Sequence, residues 1–272
     1  PDGFTADGQL WGNPLYRWDT HRKDGYSWWL RRMEAAGKLY DIVRFDHFRG
    51  LESYWAVPYG DKTARYGKWV KGPGLDLIRA IQKGLPDLRM IAEDLGYMTE
   101  EVLAMRDASG FPGMKILEFA FDSREPSDYL PYFYPRNAVV YTGTHDNETI
   151  VGWYQGLDEE MHHLVRNYLN DFYTPDDKIY KSFVAMALRS TADTCVIPIQ
   201  DYLGLDNKAR NNVPGTDSGN WCWRVTKSKL TEELKKVGYD NWVTAEMIPN
   251  YKYHTETIIY NTSNAMDAIL GR

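Results

Sequence analysis

Five short apolar runs constrain this chain more than any other feature. Each closes on a polar or aromatic residue and is separated from the next by other sequence, much of it helical in pattern. The runs are Asp41–Asp46, Leu88–Glu93, Gly113–Phe121, Ala138–Asp146 and Thr194–Asp201. Continuous apolar runs of this length, without the strict alternation of a one-sided strand, read as strands buried on both faces, which is the habit of parallel sheets. Helical patterns precede and separate them: Tyr26–Ala36, Leu75–Lys83, Thr99–Ser109, Met161–Phe172 and Ile179–Arg189. Thr99 takes the N-cap position of its helix, with Glu100 and Glu101 in the first turn, where the helix dipole favours negative charge.

Alternating strands and helices imply right-handed βαβ crossovers and a parallel sheet. Two architectures satisfy this, an open doubly wound sheet and a (β/α)8 barrel. Carboxylates close four of the five runs: Asp46, Glu93, Asp146 and Asp201. In a barrel the C-terminal strand ends converge on one site, whereas in an open sheet they spread along an edge. No Gly-rich dinucleotide or phosphate loop follows any run, which weakens the doubly wound reading. The expectation is therefore a (β/α)8 barrel, present as an incomplete barrel of about five strands, with about three more expected to precede Pro1.

Composition narrows the partners. The chain has 272 residues and a net charge of −6, and no basic stripe suggests nucleic acid. No apolar run approaches the ~20 residues that span a membrane. Cys195 and Cys222 stand far apart without metal-like spacing, so a reducing compartment is expected, the bacterial cytoplasm or, in a plant, the plastid. The 20 Tyr and 10 Trp fit a large aromatic core, the reading that composition alone favours, and also rings that stack on sugars.

The acids supply the chemistry. Breaking a glycosidic bond needs one acid to protonate the leaving oxygen and, in retaining enzymes, a second carboxylate to attack the anomeric carbon. Arg44 and Asp46 lie two residues apart on one strand, hence on one face, and a guanidinium beside a carboxylate favours its ionised form. An ordinary structural Arg–Asp pair would look the same. Glu93 and Asp94 are adjacent and should point to opposite faces, so only one can enter the barrel axis. A nearby carboxylate would raise the pKa of an inward Glu93, as a general acid requires. His145 and Asp146 follow a glycine bend in Thr142-Gly-Thr-His-Asp-Asn147, where an imidazole and a carboxylate can grip sugar hydroxyls.

With these residues in view, the chain resembles the 4-α-glucanotransferases (amylomaltase, or disproportionating enzyme), a branch of the α-amylase clan. The likeness is carried by Gly8-Gln-Leu-Trp-Gly-Asn-Pro-Leu-Tyr16, Val43-Arg-Phe-Asp-His-Phe-Arg-Gly50, Ile91-Ala-Glu-Asp-Leu-Gly96 and Gly110-Phe-Pro-Gly-Met-Lys115. Further on it is carried by Tyr141-Thr-Gly-Thr-His-Asp-Asn147, Ile197-Pro-Ile-Gln-Asp201 and Ala209-Arg-Asn-Asn-Val-Pro-Gly-Thr216. The resemblance runs over residues 1–225, taken as the C-terminal part of the catalytic barrel, and leaves 226–272 as an atypical, unassigned tail.

The resemblance implies roles by position. Asp46 is the nucleophile, Glu93 the general acid/base, and Asp146 the third acid, which holds hydroxyls of the distorted sugar. Arg44 and His145 support that sugar. Asp2, Phe4, Gln9, Trp11, Asn13 and Asn212 belong to the substrate cleft, Asp2 and Phe4 on a loop arching over it. It implies transfer of α-1,4-glucan segments between maltooligosaccharides, or starch- and glycogen-derived glucans, by a retaining double displacement, with no metal or organic cofactor. Two alternatives stay open: a hydrolase of the same clan, and a glucan-binding protein without catalysis.

Overall fold

The structure, a computed structural model, describes residues 7–121 and 127–226. Asp2, Phe4 and all but the first residue of the 226–272 tail lie outside them. The elements run α1 (Trp18–Lys23), α2 (Ser27–Gly37), β1 (Ile42–Phe45), β2 (Ser53–Ala56), β3 (Lys68–Lys71), α3 (Leu75–Gly84), β4 (Arg89–Ala92) and α4 (Glu100–Ser109). Then follow β5 (Gly113–Ile116), β6 (Ala138–Tyr141), α5 (Ile150–Gln155), α6 (Glu159–Leu169), α7 (Tyr180–Leu188), β7 (Thr194–Val196) and α8 (Ile199–Tyr202). The chain forms two compact units. The first holds the described residues up to Lys115 with Tyr134–Val140 and Thr191–Cys195. The second holds Ile116–Phe133, Tyr141–Ser190 and the described residues from Val196 onward.

In the first unit, β1 and β4 pair in parallel, with Ile42 opposite Arg89 and Phe45 opposite Ala92. The Ala92 N–H donates to Pro112 O at 2.9 Å, which aligns the start of β5 with the end of β4. The strands β5, β6 and β7 are neighbours in that order. Helix α3 shows why its sequence is helical and how it docks. Gly74 precedes it at φ 58, Asp76 is in its first turn and Lys83 in its last. Leu77, Ile78 and Ile81 fall on one stripe and are buried, each contributing about 1.5–3 kcal/mol of burial. They join Trp29 and Met33 of α2, Met105 of α4, Met90 and Ala92 of β4, and Phe48 and Leu51 in one core. Helix α4 starts after Thr99 and ends at Gly110, whose φ of 71 closes it in the left-handed region that glycine adopts freely. Thr99 holds the N-cap position as expected, but its side chain makes no capping bond.

The second unit is mainly helical. The Thr149 side chain accepts from Gly152 N to cap α5, and Asp158 accepts from Met161 N to cap α6, with Glu159 and Glu160 in the first turn. Phe121, Trp153, Tyr168 and Phe183 meet at ring separations of 5.4–6.0 Å and centre its apolar packing.

The strands are shorter than the apolar runs. Past Ile116 the chain enters a 3-10 turn over Leu117–Ala120 rather than extending to Phe121. The fifth run is strand only as far as Val196, as β7, and Asp201 lies within α8 instead of closing a strand. Pro198 explains this: it has no N–H for a sheet ladder, and its fixed φ opens the helix. The antiparallel pair β2–β3, which sets Trp55 opposite Trp69, is an addition to the expected pattern.

Candidate active site

The parallel register of β1 and β4 decides how Asp46 and Glu93 are placed. Phe45 stands opposite Ala92, so the next residue on each strand, Asp46 and Glu93, leaves the sheet at the same level. The Glu93 N–H donates to Phe45 O at 3.0 Å and the Phe48 N–H to Glu93 O at 3.2 Å, which continues the pairing past the strand ends.

The two acids meet different surroundings. Asp46 has a side chain 71% exposed, gripped by Arg44 Nη2 at 2.5 Å. Arg44 and Asp46 therefore share a face, as their spacing predicts. Glu93 is half-buried. Its Oε2 accepts from His47 N at 2.7 Å and its Oε1 from Leu95 N at 3.0 Å. Burial pushes the Glu93 carboxyl above the usual range, the Asp46 charge adds to this, and the two backbone N–H groups and Arg44 oppose it. The expected influence of a neighbouring acid is present, but burial is the larger cause.

Asp94 points elsewhere, as predicted for adjacent residues. It is buried, its Oδ2 bonded by Arg106 Nη1 at 2.6 Å and its Oδ1 by Met114 N at 2.7 Å. An added Cβ at Gly113 would come within 2.3 Å of Asp94 Oδ2, so the carboxylate is seated directly against the start of β5. Asp94 ties β4, α4 and β5 together.

In the second unit, the segment after β6 carries His145 and Asp146. Asp146 Oδ2 lies 3.3 Å from His145 Nε2, and its Oδ1 accepts from Asn212 Nδ2 at 2.6 Å. Arg210 Nη2 donates to the Asp146 carbonyl at 2.6 Å and its Nη1 lies 3.6 Å from Glu148. The His145 ring packs against Trp221 at 5.3 Å. The structure thus brings together His145, Asp146 and Asn212, three residues chosen from sequence. It adds Arg210 and Trp221, which were not. Arg210 stands inside the quoted Ala209–Thr216 motif, so its position was visible, but nothing local announced that it would bind a main-chain oxygen 64 residues away.

Gln9 and Trp11 are joined to each other, Trp11 Nε1 donating to Gln9 Oε1 at 3.2 Å, in an exposed segment that also carries Asn13. That segment is anchored where it begins, by Ala64 N donating to Asp7 O at 3.0 Å and by the Arg65–Asp7 ion pair at 2.9 Å.

Residues 1–231 match the family described as 4-alpha-glucanotransferase, well over half of the chain.

The chain belongs to the 4-alpha-glucanotransferase family.

Curated 4-alpha-glucanotransferases agree with this across bacteria and plants. That of Streptococcus pneumoniae serotype 4 is 47% identical over 241 residues, covering 87% of this chain and 46% of the relative. The chloroplastic/amyloplastic 4-alpha-glucanotransferase of Arabidopsis thaliana is 46% identical over 235 residues, covering 86% of this chain and 40% of the relative. This chain spans about half the length, or less, of the curated relatives it matches. Among solved structures, the amylomaltase of Streptococcus agalactiae in complex with acarbose superposes with a TM-score of 0.80 at 37% identity, covering 88% of this chain and 50% of that one. The strand–helix units are accordingly those of the amylomaltase (β/α)8 barrel, and the doubly wound alternative is set aside.

Proposed function

We propose that this protein transfers α-1,4-glucan segments between maltooligosaccharides, or starch- and glycogen-derived glucans, by double displacement with retention at the anomeric carbon. The observation that carries the reading is the asymmetry of the β1 and β4 acids. Asp46 is exposed and bonded to a guanidinium, while Glu93 is half-buried with its pKa raised. Environments that separate two carboxyl groups in this way separate their roles, one as nucleophile and one as acid. Membership of the 4-alpha-glucanotransferase family supports the same assignment.

In the first step the Asp46 carboxylate attacks the anomeric carbon while the Glu93 carboxyl gives its proton to the departing glycosidic oxygen. In the second step Glu93, now a carboxylate, takes the proton of an acceptor 4-hydroxyl, and that oxygen displaces Asp46. Two inversions give net retention, and no step calls on a metal or organic cofactor. Asp146 is assigned to sugar hydroxyls in the transition state, oriented by His145 and Asn212. Arg44 is assigned to Asp46 and the same sugar. Gln9, Trp11 and Asn13, with Asp2 and Phe4, are assigned to the donor and acceptor chains. The acarbose complex of the S. agalactiae amylomaltase supports an oligosaccharide ligand here. A reducing compartment, the bacterial cytoplasm or a plastid, suits the free thiols of Cys195 and Cys222.

Incubation of the full-length protein with maltotriose, resolved by thin-layer chromatography, tests the proposal. A ladder of longer sugars is expected. Glucose and maltose alone would replace transfer by hydrolysis, and unchanged maltotriose would leave binding without catalysis.

A further inference from the structure

Glu118 has no part in the chemistry above, yet it is 7% exposed and lies beneath the segment that presents Asp146. Its N–H donates to Thr142 O at 3.3 Å. An added Cβ at Gly143 would meet Glu118 Oε1 at 2.6 Å and Asn147 Cβ at 3.1 Å, so the glycine is what lets the backbone close over this carboxyl. Glu118 Oε1 and Asn147 Cβ thus flank Gly143, and Oε1 has no hydrogen-bond partner. With its own Oδ1, Asn147 accepts from Thr144 N at 2.9 Å and Thr144 Oγ1 at 2.8 Å, and its N–H donates to Thr144 O at 3.2 Å. The turn so closed contains His145 and Asp146.

We propose that Glu118 is a positioning residue: lodged against Gly143 beside Asn147 and tied to Thr142 by its N–H, it holds the Thr144–Asn147 turn in the conformation that sets Asp146 against His145 and Asn212. The consequence for turnover rests on the function proposed above, because it takes Asp146 to act on the substrate. The surroundings favour a neutral carboxyl at 118. Burial is the main cause, the charges of Asp201 and Glu148 act in the same direction, and Asn147 and Arg210 oppose them. A buried neutral carboxyl is matched in shape and polarity by glutamine and not by alanine.

The test uses Glu118→Gln, Glu118→Ala and Asn147→Ala in the full-length protein. It reads kcat and KM for maltotriose, and amide hydrogen exchange of the 141–150 segment by mass spectrometry. Glu118→Ala and Asn147→Ala are expected to speed exchange in this segment and to lower kcat about 10- to 100-fold with little change in KM. Glu118→Gln is expected to stay within about threefold of the parent, a difference worth less than 1 kcal/mol. Unchanged exchange in a folded Glu118→Ala overturns the proposal, as does faster exchange with unaltered kcat. So does Glu118→Gln failing as badly as Glu118→Ala. If Glu118→Ala does not fold, Glu118→Gln decides, and faster exchange there, or a kcat more than about tenfold below the parent, is fatal. A parent that leaves maltotriose untouched refutes the proposed function instead, while exchange in the variants still reports whether Glu118 holds the turn.

Discussion

The Oε2 of Glu93 accepts the backbone N–H of His47, the residue that follows Asp46, at 2.7 Å. The strand end that carries one acid therefore orients the other. His47 adopts φ 48, a left-handed conformation uncommon for a residue with a Cβ, and it is there that its N–H reaches Glu93. This link and the common register of β1 and β4 set the two residues side by side and fix the Glu93 carboxyl by main chain, while the Asp46 carboxylate is held by the Arg44 side chain.

The pairing gives a direct expectation for Asp46→Asn. The amide keeps the shape of the carboxylate and a bond to Arg44 but cannot act as the nucleophile. Transfer from maltotriose should fall by about a thousandfold or more, while calorimetry still registers binding of maltooligosaccharides. Transfer within tenfold of the parent would remove Asp46 from the role.

Glu93 should set the basic limb of the pH–rate profile. Its folded-state pKa is raised, chiefly by burial. The proton it must donate is present at low pH and lost as pH rises through that raised value, so activity falls on the alkaline side. Glu93→Gln should abolish the limb and slow maltotriose strongly. It should spare the glycosylation step of a glucosyl fluoride, whose leaving group needs no proton. Equal slowing of both donors in that step would exclude Glu93 as the acid.

Asp94 should matter to stability. Its carboxylate is 5% exposed and bonded by Arg106 and Met114 N. Asp94→Ala leaves the buried Met114 N–H without its partner and takes from the half-buried Arg106 one of its two carboxylates, Asp107 remaining, a loss of about 1–3 kcal/mol. Urea unfolding would register it as a lower midpoint. A midpoint equal to the parent's would show that Arg106 and Met114 do not depend on this residue.

A second buried acid gives a pH signature to the fold. Asp201 accepts from Thr142 Oγ1 and from Ile150 N, and burial pushes its carboxyl up to about 6 from 3.8. A raised folded-state pKa means that the folded protein holds the proton longer than the unfolded one does. Its stabilising contribution is full below pH 3.8 and is lost as pH rises through about 6. Asp201→Asn should flatten the dependence of the melting temperature on pH across that window. A slope unchanged by the substitution would assign it to other groups.

Sequence made some of this legible and concealed the rest for identifiable reasons. The placement of Asp46 and Glu93 just past the ends of β1 and β4 was readable from a continuous apolar run with a polar terminator; β4 is buried as such a run implies, whereas β1 is only partly so. The helices α3 and α4 were readable from Leu77, Ile78 and Ile81 at helical spacing and from Thr99 and Gly110 at the ends. The β2–β3 pair was not, because Ser53–Ala56 and Lys68–Lys71 carry no apolar alternation and are held by cross-strand contacts such as Trp55 with Trp69. Glu118 was hidden inside an apolar run that resembled a longer strand; the chain turns at Leu117 and buries it. The partner of Asp94, Arg106, comes from a helix 12 residues on, a tertiary fact with no local signature.

The most direct measurement of the central claim is to trap the intermediate. Glu93→Gln in the full-length protein, given a maltosyl fluoride, should complete glycosylation and stall before transfer. Mass spectrometry of the digested protein should then find a maltosyl mass on the peptide that contains Asp46, and none when Asp46→Asn is added. A sugar attached at another residue, or turnover of the fluoride without any covalent adduct and with inversion at the anomeric carbon, would contradict the account.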